Sequence, residues 1–178
     1  VVRQIEAAHG LSAERFAFRQ TMPLADFLKI VDLLRPSGYR PIRVLPYAAA
    51  GSVQVAAVWT RDAREWRLDT GLTAEEIRKC EASARSEGFV PVDVAGYLAS
   101  TDAGPAERYA GAWVKRLSDE EDARLYVGAT SADHQSVYGA LEKEGFEYQE
   151  TLQAFLGLDG QRRYCGVKSK RTVGDQLL

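Results

Sequence analysis

The sequence predicts an α+β fold of three pseudo-symmetric strand–helix–strand–strand repeats, with helices covering a mostly antiparallel sheet. One observation is a short glycine-led segment that recurs with a period of about 50 residues, which is typical of repeat architectures. The segments are Gly38–Pro41, Gly88–Pro91 and Gly145–Tyr148. A second observation is that each segment follows a helix-like stretch and leads into alternating, strand-like runs. We therefore predict a single repeat module.

The first strand of each unit sets the unit boundaries. Phe16, Trp66 and Ala123 stand at equal distances before the three glycines, and each begins a short run of alternating apolar residues. The predicted units span about 14–61, 64–116 and 121–170, with a leader at 1–13 and a tail at 171–178.

The helices are predicted from apolar residues at i, i+3 and i+7, a spacing that lies on one helix face. The three matching stripes are Phe27, Ile30 and Leu34; Ile77, Cys80 and Ala84; and His134, Val137 and Leu141. Pro23 suits the first turn of its helix, and Thr73–Glu76 has the pattern of a capping box. The glycine after each helix suits a left-handed C-cap.

The last two strands of each unit carry matching aromatic residues. Tyr47 and Tyr97 end the second strands of units one and two, and Trp59 and Trp113 occupy the same position in the third strands. Unit three has Lys168 at that position. The connections after Tyr47 and Tyr97 differ in length, so we expect loops there, and loops on one face of a repeat array are the usual binding face.

Composition excludes several classes of function. The chain has 178 residues, 46% hydrophobic and 27% charged, with a net charge of −2, which gives no basic footprint for nucleic acid. No apolar run approaches the roughly 18 residues of a membrane span, and Val1–Arg3 is not the start of a signal peptide. The missing initial methionine favours a processed or excised piece, and the localisation stays unknown. Absent asparagine and abundant arginine favour a bacterial source.

Familiar catalytic motifs are absent from the sequence. It has no Ser-x-x-Lys, Gly-x-Ser-x-Gly, His-Glu-x-x-His or phosphate-binding glycine loop, and no cofactor is expected. The helix stripe favours a packing role for His134, and the leader favours a solvated His9. A hydrolase using Cys80 and His134 stays an alternative. Glu75–Glu76 and Asp119–Asp122 fit a helix start and an exposed loop, so no metal site is predicted.

Four segments carry a resemblance to a known family: Gly38–Pro41, Val55–Trp59, Gly71–Thr73 and Arg108–Ala110. They resemble the bacterial tandem repeat domain family, which is similar to the non-catalytic N-terminal repeats of fungal polyglycine hydrolases. The resemblance covers about 14–170 and is weaker in unit three. It implies an accessory module, beside a catalytic domain such as a serine hydrolase in some proteins, and it transfers no catalytic residue.

The sequence therefore favours a non-enzymatic function: binding or scaffolding within a larger bacterial protein, with a peptide or polymer segment as the candidate ligand. Two interpretations of the aromatic residues stay open. They pack between repeats, or they line a groove whose rim carries basic strand ends. The candidate binding residues are Tyr47, Trp59, Tyr97, Trp113, Arg61 and Lys115. Lys168 favours packing at both tryptophans and an open rim in unit three.

Overall fold

The computed structural model describes residues 11–12, 15–49 and 51–170. Unit one contains β1 (Leu11–Ser12), β2 (Phe16–Pro23), α1 (Leu24–Leu34), a 3₁₀ turn (Arg35–Ser37), β3 (Tyr39–Ala49) and β4 (Ser52–Arg61). Unit two contains β5 (Trp66–Leu72), α2 (Ala74–Ser86), β6 (Phe89–Thr101) and β7 (Gly104–Lys115). Unit three contains β8 (Ala123–Ala129), α3 (Ser131–Lys143), β9 (Tyr148–Leu156) and β10 (Arg162–Ser169).

Each unit folds into its own antiparallel sheet with one helix, as predicted. The last strand lies in the middle, so the strand orders are β2-β4-β3, β5-β7-β6 and β8-β10-β9, and β1 extends the first sheet next to β2. Within the described residues, β3, β6 and β9 are therefore edge strands of three separate sheets. The same strand of each unit is left with one side free for contacts outside its sheet.

The turn that joins helix to second strand is the same in all three units. Gly38, Gly88 and Gly145 have φ angles of 79°, 79° and 89°, a left-handed conformation in which a side chain would be strained. Thr73 forms the predicted capping box with Glu76 at the start of α2. The prediction that the three glycines occupy one turn is confirmed.

Strand register defines which residues are equivalent. Pro41 pairs with Trp59, Pro91 with Trp113 and Gln149 with Lys168, and a β-bulge follows each pair. Unit three thus has one additional residue between its glycine and its bulge. The bulged residues are Ile42, Val92 and Glu150, and the next positions are Arg43, Asp93 and Thr151. The longer connection after Tyr97, predicted as a loop, is mostly strand, because β6 and β7 stay paired up to Thr101 and Gly104.

Units two and three each complete the core of the unit before them. The face of a sheet that points away from its own helix, which we call the outer face, packs on the preceding helix and strands. Trp66 of β5 belongs to the core of unit one. Leu125 of β8 and Val167 of β10 belong to the core of unit two. The burial of apolar area between units is what orders the array.

The helix stripes agree with the prediction in two units. Phe27, Ile30 and Leu34 are buried in α1, and Ile77 and Ala84 are buried in α2. In α3 no residue is fully buried, and His134 is half-buried. The prediction of a buried stripe is wrong for α3, because among the described residues no further unit covers that helix.

Candidate functional site

The three bulges meet at one guanidinium group. Arg43 donates from Nη1 to the carbonyl oxygens of Ile42 at 2.7 Å and Val92 at 3.4 Å, and from Nη2 to that of Glu150 at 3.0 Å. Each carbonyl belongs to the bulged residue of a different unit. The bulges point carbonyls away from their own ladders, so a planar, multidentate donor can bind all three. Arg43 therefore marks the pseudo-symmetry axis and links unit one to both other units.

Asp93 lies beside this axis in unit two. It is buried, and its Oδ2 accepts a hydrogen bond of 2.6 Å from the backbone N–H of Val44 in unit one. Burial raises the pKa of Asp93 to about 6, although the Val44 N–H and the Arg43 guanidinium act in the opposite direction. The carboxylate thus joins β6 to the free edge of β3.

A cleft of about 480 Å³ opens between units one and three. We call it the inter-unit cleft. One wall is the outer face of unit one, the other is β9, and the floor is β6. Its walls are mainly apolar, and Phe18, Leu45 and Leu152 are exposed in it. The principal lining residues are Phe18, Leu45, Ala56, Val58, Asp93, Val94, Ala95, Thr151, Leu152 and Gln153.

A few polar groups interrupt the apolar walls. Gln153 binds the backbone of Gly96 like a neighbouring strand, accepting from its N–H at 2.7 Å and donating to its carbonyl at 3.0 Å. The Thr151 hydroxyl is buried and has no hydrogen-bond partner in the described part of the chain. An unpaired buried hydroxyl costs free energy unless a bound group satisfies it. Thr151 thus leaves a buried hydroxyl, unpaired among the described residues, behind the cleft wall.

Trp59 and Trp113 lie away from this cleft, in the interiors of their own units. They are 0% and 1% exposed, and the Trp59 ring lies 5.8 Å from that of Phe27. A Cβ placed on Gly111 would lie 2.5 Å from the Trp113 indole, so this glycine leaves room for the ring. Both tryptophans are buried, as the packing interpretation predicts, although they pack mainly within their own units, and they cannot contact a ligand in a groove.

The two predicted tyrosines tie strands together. The Tyr47 hydroxyl shares a hydrogen bond of 2.8 Å with Thr21, and the Tyr97 hydroxyl accepts one of 3.0 Å from the Gly71 N–H. Both residues also line a second cavity of about 400 Å³ that adjoins the cleft at Leu45 and Gln153. These residues are near the candidate site, although their hydroxyls serve the fold.

The two predicted basic residues belong to the repeat turn instead. Arg61 lies over the Tyr39 ring at 5.7 Å and donates to the Ser37 carbonyl. Lys115 lies 4.8 Å from the centre of the Phe89 ring and donates to the Glu87 carbonyl. Cation–π contacts of this kind hold the strand end on the aromatic residue that follows the glycine. Neither residue lines the inter-unit cleft.

Lys168 corrects the expectation of an open rim in unit three. Its side chain is 0% exposed, with Nζ 3.3 Å from the centre of the Tyr138 ring and 3.4 Å from Glu142 Oε1. The ring face and the carboxylate both compensate the desolvated charge. An ammonium group therefore does replace the indole within the unit, because α3 brings its own partners.

Cys80 and His134 have different neighbours, and no hydrogen bond joins them in the part of the chain that the structure describes. His134 stacks on Tyr164 with ring centres 4.6 Å apart, and its buried Nδ1 has no partner among the described residues. Burial raises the pKa of the Cys80 thiol, and the carboxylates of Asp69 and Glu76 raise it further. A raised pKa lowers the fraction of thiolate, the nucleophilic form, so this setting does not activate Cys80.

The acidic segment before β8 forms ion pairs both between units two and three and within unit three. Asp122 pairs with Arg85 at 2.9 Å and Arg124 at 2.7 Å, and Glu121 pairs with Arg64 at 2.8 Å. In residues 15–49 and 51–170 there is no group of three or more His, Cys, Asp or Glu side chains that could hold a metal ion. His9 lies outside the described residues.

The described helices are also too short or too polar to cross a lipid bilayer.

Sequence reasoning missed the residues that line the cleft: Arg43, Asp93, Thr151 and Gln153. A signal for Asp93 was present, since it is the single charge in the apolar run Phe89–Ala95. The additional residue in unit three hid the equivalence of Thr151 with Arg43 and Asp93. Nothing in the sequence indicates that three edge strands converge on one axis.

Comparison with known families agrees with this repeat geometry. A family model described as a polyglycine hydrolase-like structural repeat matches the chain at residues 13–62, 63–116 and 122–171. A search of curated proteins found no match. The matched spans cover most of the chain, and each contains one sheet and one helix. The chain therefore belongs to the family of polyglycine hydrolase-like structural repeats.

Proposed function

We propose that this chain is a non-enzymatic binding module whose inter-unit cleft takes an extended polypeptide segment. The observation that carries the proposal is the cleft itself, with apolar walls and a small number of polar side chains, among them Gln153. Ligand sites are commonly concave and largely apolar, with a small number of polar groups that fix orientation. The family is a structural repeat, which agrees with a role that needs no catalytic residue.

The shape of the cleft favours an extended chain. Within the described residues, β3 pairs only with β4 and β9 pairs only with β10, so both cleft walls include strand edges that have no neighbouring strand. A peptide added along such an edge gains backbone hydrogen bonds, while alternate side chains enter apolar pockets. Leu152 is exposed in the cleft, so it offers an apolar contact to a side chain of the entering segment.

Fluorescence anisotropy of labelled peptides tests the proposal. The probes are capped peptides of about seven residues: one alternates leucine and threonine, and the other is polyglycine. We expect saturable binding of the leucine–threonine peptide and at least about tenfold weaker binding of polyglycine, because glycine offers no apolar side chain to the walls.

Variants locate the site. Leu152→Glu and Phe18→Glu place a charge in opposite walls of the cleft and should each weaken binding at least about tenfold. Leu117→Glu is the matched control, since Leu117 is exposed and lies outside the cleft. Equal affinity of all four proteins for the peptide, or no saturable binding by the native chain, would contradict the proposal.

A further inference from the structure

The inter-unit cleft is closed at one end by Arg43. The strand β6 packs against both β3 and β9, so the gap of the cleft lies between β3 and β9. Arg43 of β3 bridges this gap, because its Nη2 donates to the Glu150 carbonyl of β9 at 3.0 Å. An extended chain that lies between β3 and β9 therefore meets the Arg43 guanidinium at this end.

In the other direction the cleft continues into the second cavity, which adjoins it at Leu45 and Gln153. Arg43, Leu45 and Tyr47 alternate along β3, so they lie on one face of its sheet. At a rise of about 3.3 Å per residue they span about 13 Å, the length of about four extended residues. We call the two cavities together, from Arg43 to Tyr47, the axial groove.

The closed end of the axial groove offers a positive charge. Arg43, Asp93 and Glu150 are the charged residues that line the cleft in the described part of the chain. Asp93 is buried and accepts from the Val44 N–H, and the Glu150 carboxylate accepts a hydrogen bond from the Ser169 hydroxyl. Arg43 is exposed and forms no ion pair with the described residues. Its guanidinium is therefore available to a negatively charged group.

The guanidinium also has donors left for a ligand. Three of its hydrogen bonds go to the carbonyls of the bulged residues, and Nε and at least one further N–H have no partner among the described residues. The bonds to the carbonyls fix the plane of the group before a ligand arrives, which lowers the entropic cost of binding. A carboxylate is the ligand that matches such a planar donor, through charge-assisted hydrogen bonds.

We infer that the axial groove binds the C-terminal end of a polypeptide, with the terminal carboxylate on Arg43 and about four residues extended toward Tyr47. The inference rests on the proposed function, because the inter-unit cleft is part of this groove. The closed end favours a chain terminus over an internal acidic residue, since a chain with an internal acidic residue would have to continue past Arg43. The apolar walls contact the side chains of the residues before the terminus.

Three N-terminally labelled leucine–threonine peptides of about seven residues test the inference by fluorescence anisotropy. The first ends in a free carboxylate, and the second is amidated. The third is amidated and has glutamate in its middle, so its charge equals that of the first. We expect the free acid to bind the native chain at least about tenfold more tightly than either amidated peptide.

Two variants assign the preference to Arg43. Arg43→Gln should bind the free acid and the amide with equal affinity, because the charged donor is lost. Arg116→Gln is the matched control, since Arg116 is exposed and lies outside both cavities, and it should keep the preference. Circular dichroism checks that each variant is folded, and the comparison of the three peptides on the native chain does not depend on either variant.

The outcomes separate this inference from the proposed function. Saturable binding of the free acid and the amide with equal affinity would overturn the inference and leave the proposed function intact. Binding of the internal glutamate peptide as tight as that of the free acid would also overturn it, as would a preference for the free acid that survives in folded Arg43→Gln. Absence of saturable binding for every peptide would contradict both.

Discussion

Trp113 in unit two and Lys168 in unit three hold the same position in their repeats, and both are buried. In unit two the indole fills an interior that the next unit closes, and Gly111 leaves room for it. In unit three the ammonium lies against the Tyr138 ring and the Glu142 carboxylate, both supplied by α3. The difference teaches that a repeat position specifies burial, while the neighbours of each unit decide which side chain can be buried there.

The surfaces of the three units differ in the same way, according to which neighbour covers them. Unit two is covered on its outer face by unit one and in its interior by unit three. Among the described residues, no preceding unit covers the outer face of unit one, and no following unit covers the interior of unit three. The exposed Phe16, Phe18 and Leu152 are the consequence, and the inter-unit cleft lies between these two uncovered surfaces.

The largest expected effect is the loss of a buried indole. Trp113→Ala should lower the free energy of unfolding by about 3–5 kcal/mol, because the cavity in a closed interior cannot collapse fully. Chemical denaturation with circular dichroism measures the change. Trp59→Ala should behave alike, and Leu117→Glu is the control for a change at an exposed site. A loss below about 1 kcal/mol would show that the interior of unit two relaxes far more than its packing suggests.

A second expected effect is a dependence of stability on pH that comes from Asp93. Asp93 follows the bulge of unit two, and the equivalent residue of unit three is Thr151, which carries no charge. Because burial raises the pKa of Asp93 to about 6, the folded state binds a proton more tightly than the unfolded state. The contribution of Asp93 to the free energy of unfolding is therefore most favourable below about pH 4. It falls as the pH rises through about 6, by about 3 kcal/mol in total.

Asp93→Asn isolates that contribution, since the amide oxygen can still accept from Val44 and carries no charge. The free energy of unfolding of the native chain relative to the variant should fall between about pH 4 and about pH 7. Denaturant melts across this range measure it. Parallel pH profiles of the two proteins would show that Asp93 is ionised without penalty, for example through Arg43.

A smaller effect tests the ion pair that replaces the indole in unit three. Lys168→Met should leave the free energy of unfolding within about 1 kcal/mol of the native value or raise it, because an apolar chain of similar length needs no compensating charge. Glu142→Gln should be the more damaging change, as it leaves the buried ammonium with the ring alone. The reverse order in thermal melts would mean that the lysine makes a specific contribution to the fold.

The smallest effect concerns the half-buried histidine of α3. His134→Leu should change the free energy of unfolding by less than about 1 kcal/mol or stabilise the chain, because it removes a buried nitrogen without a partner. The same substitution also removes the stacking of the imidazole on Tyr164, which offsets part of that gain. A fall in the melting midpoint of more than about 5 °C would show that His134 makes an essential polar contact.

Much of the fold was predictable because local rules apply at the positions concerned. Left-handed glycines, a capping box and the apolar spacing of α1 and α2 are properties of short segments, and they recur at constant distances. The stripe of α3 failed because spacing does not show whether a covering unit exists. Of the six candidate binding residues, Tyr47 and Tyr97 lie next to the cleft, and the two tryptophans and the two basic residues serve packing within their units.

The sequence alone determined the number of units, the order of elements in each and the face on which Trp59 and Trp113 lie, because periodicity and turn chemistry act within about 20 residues. Tertiary structure alone decided the site. Arg43, Asp93 and Thr151 are far apart in sequence, and they meet because each junction buries the outer face of one unit in the interior of another. That arrangement depends on the total apolar surface buried between units, which cannot be read from any single segment of the sequence.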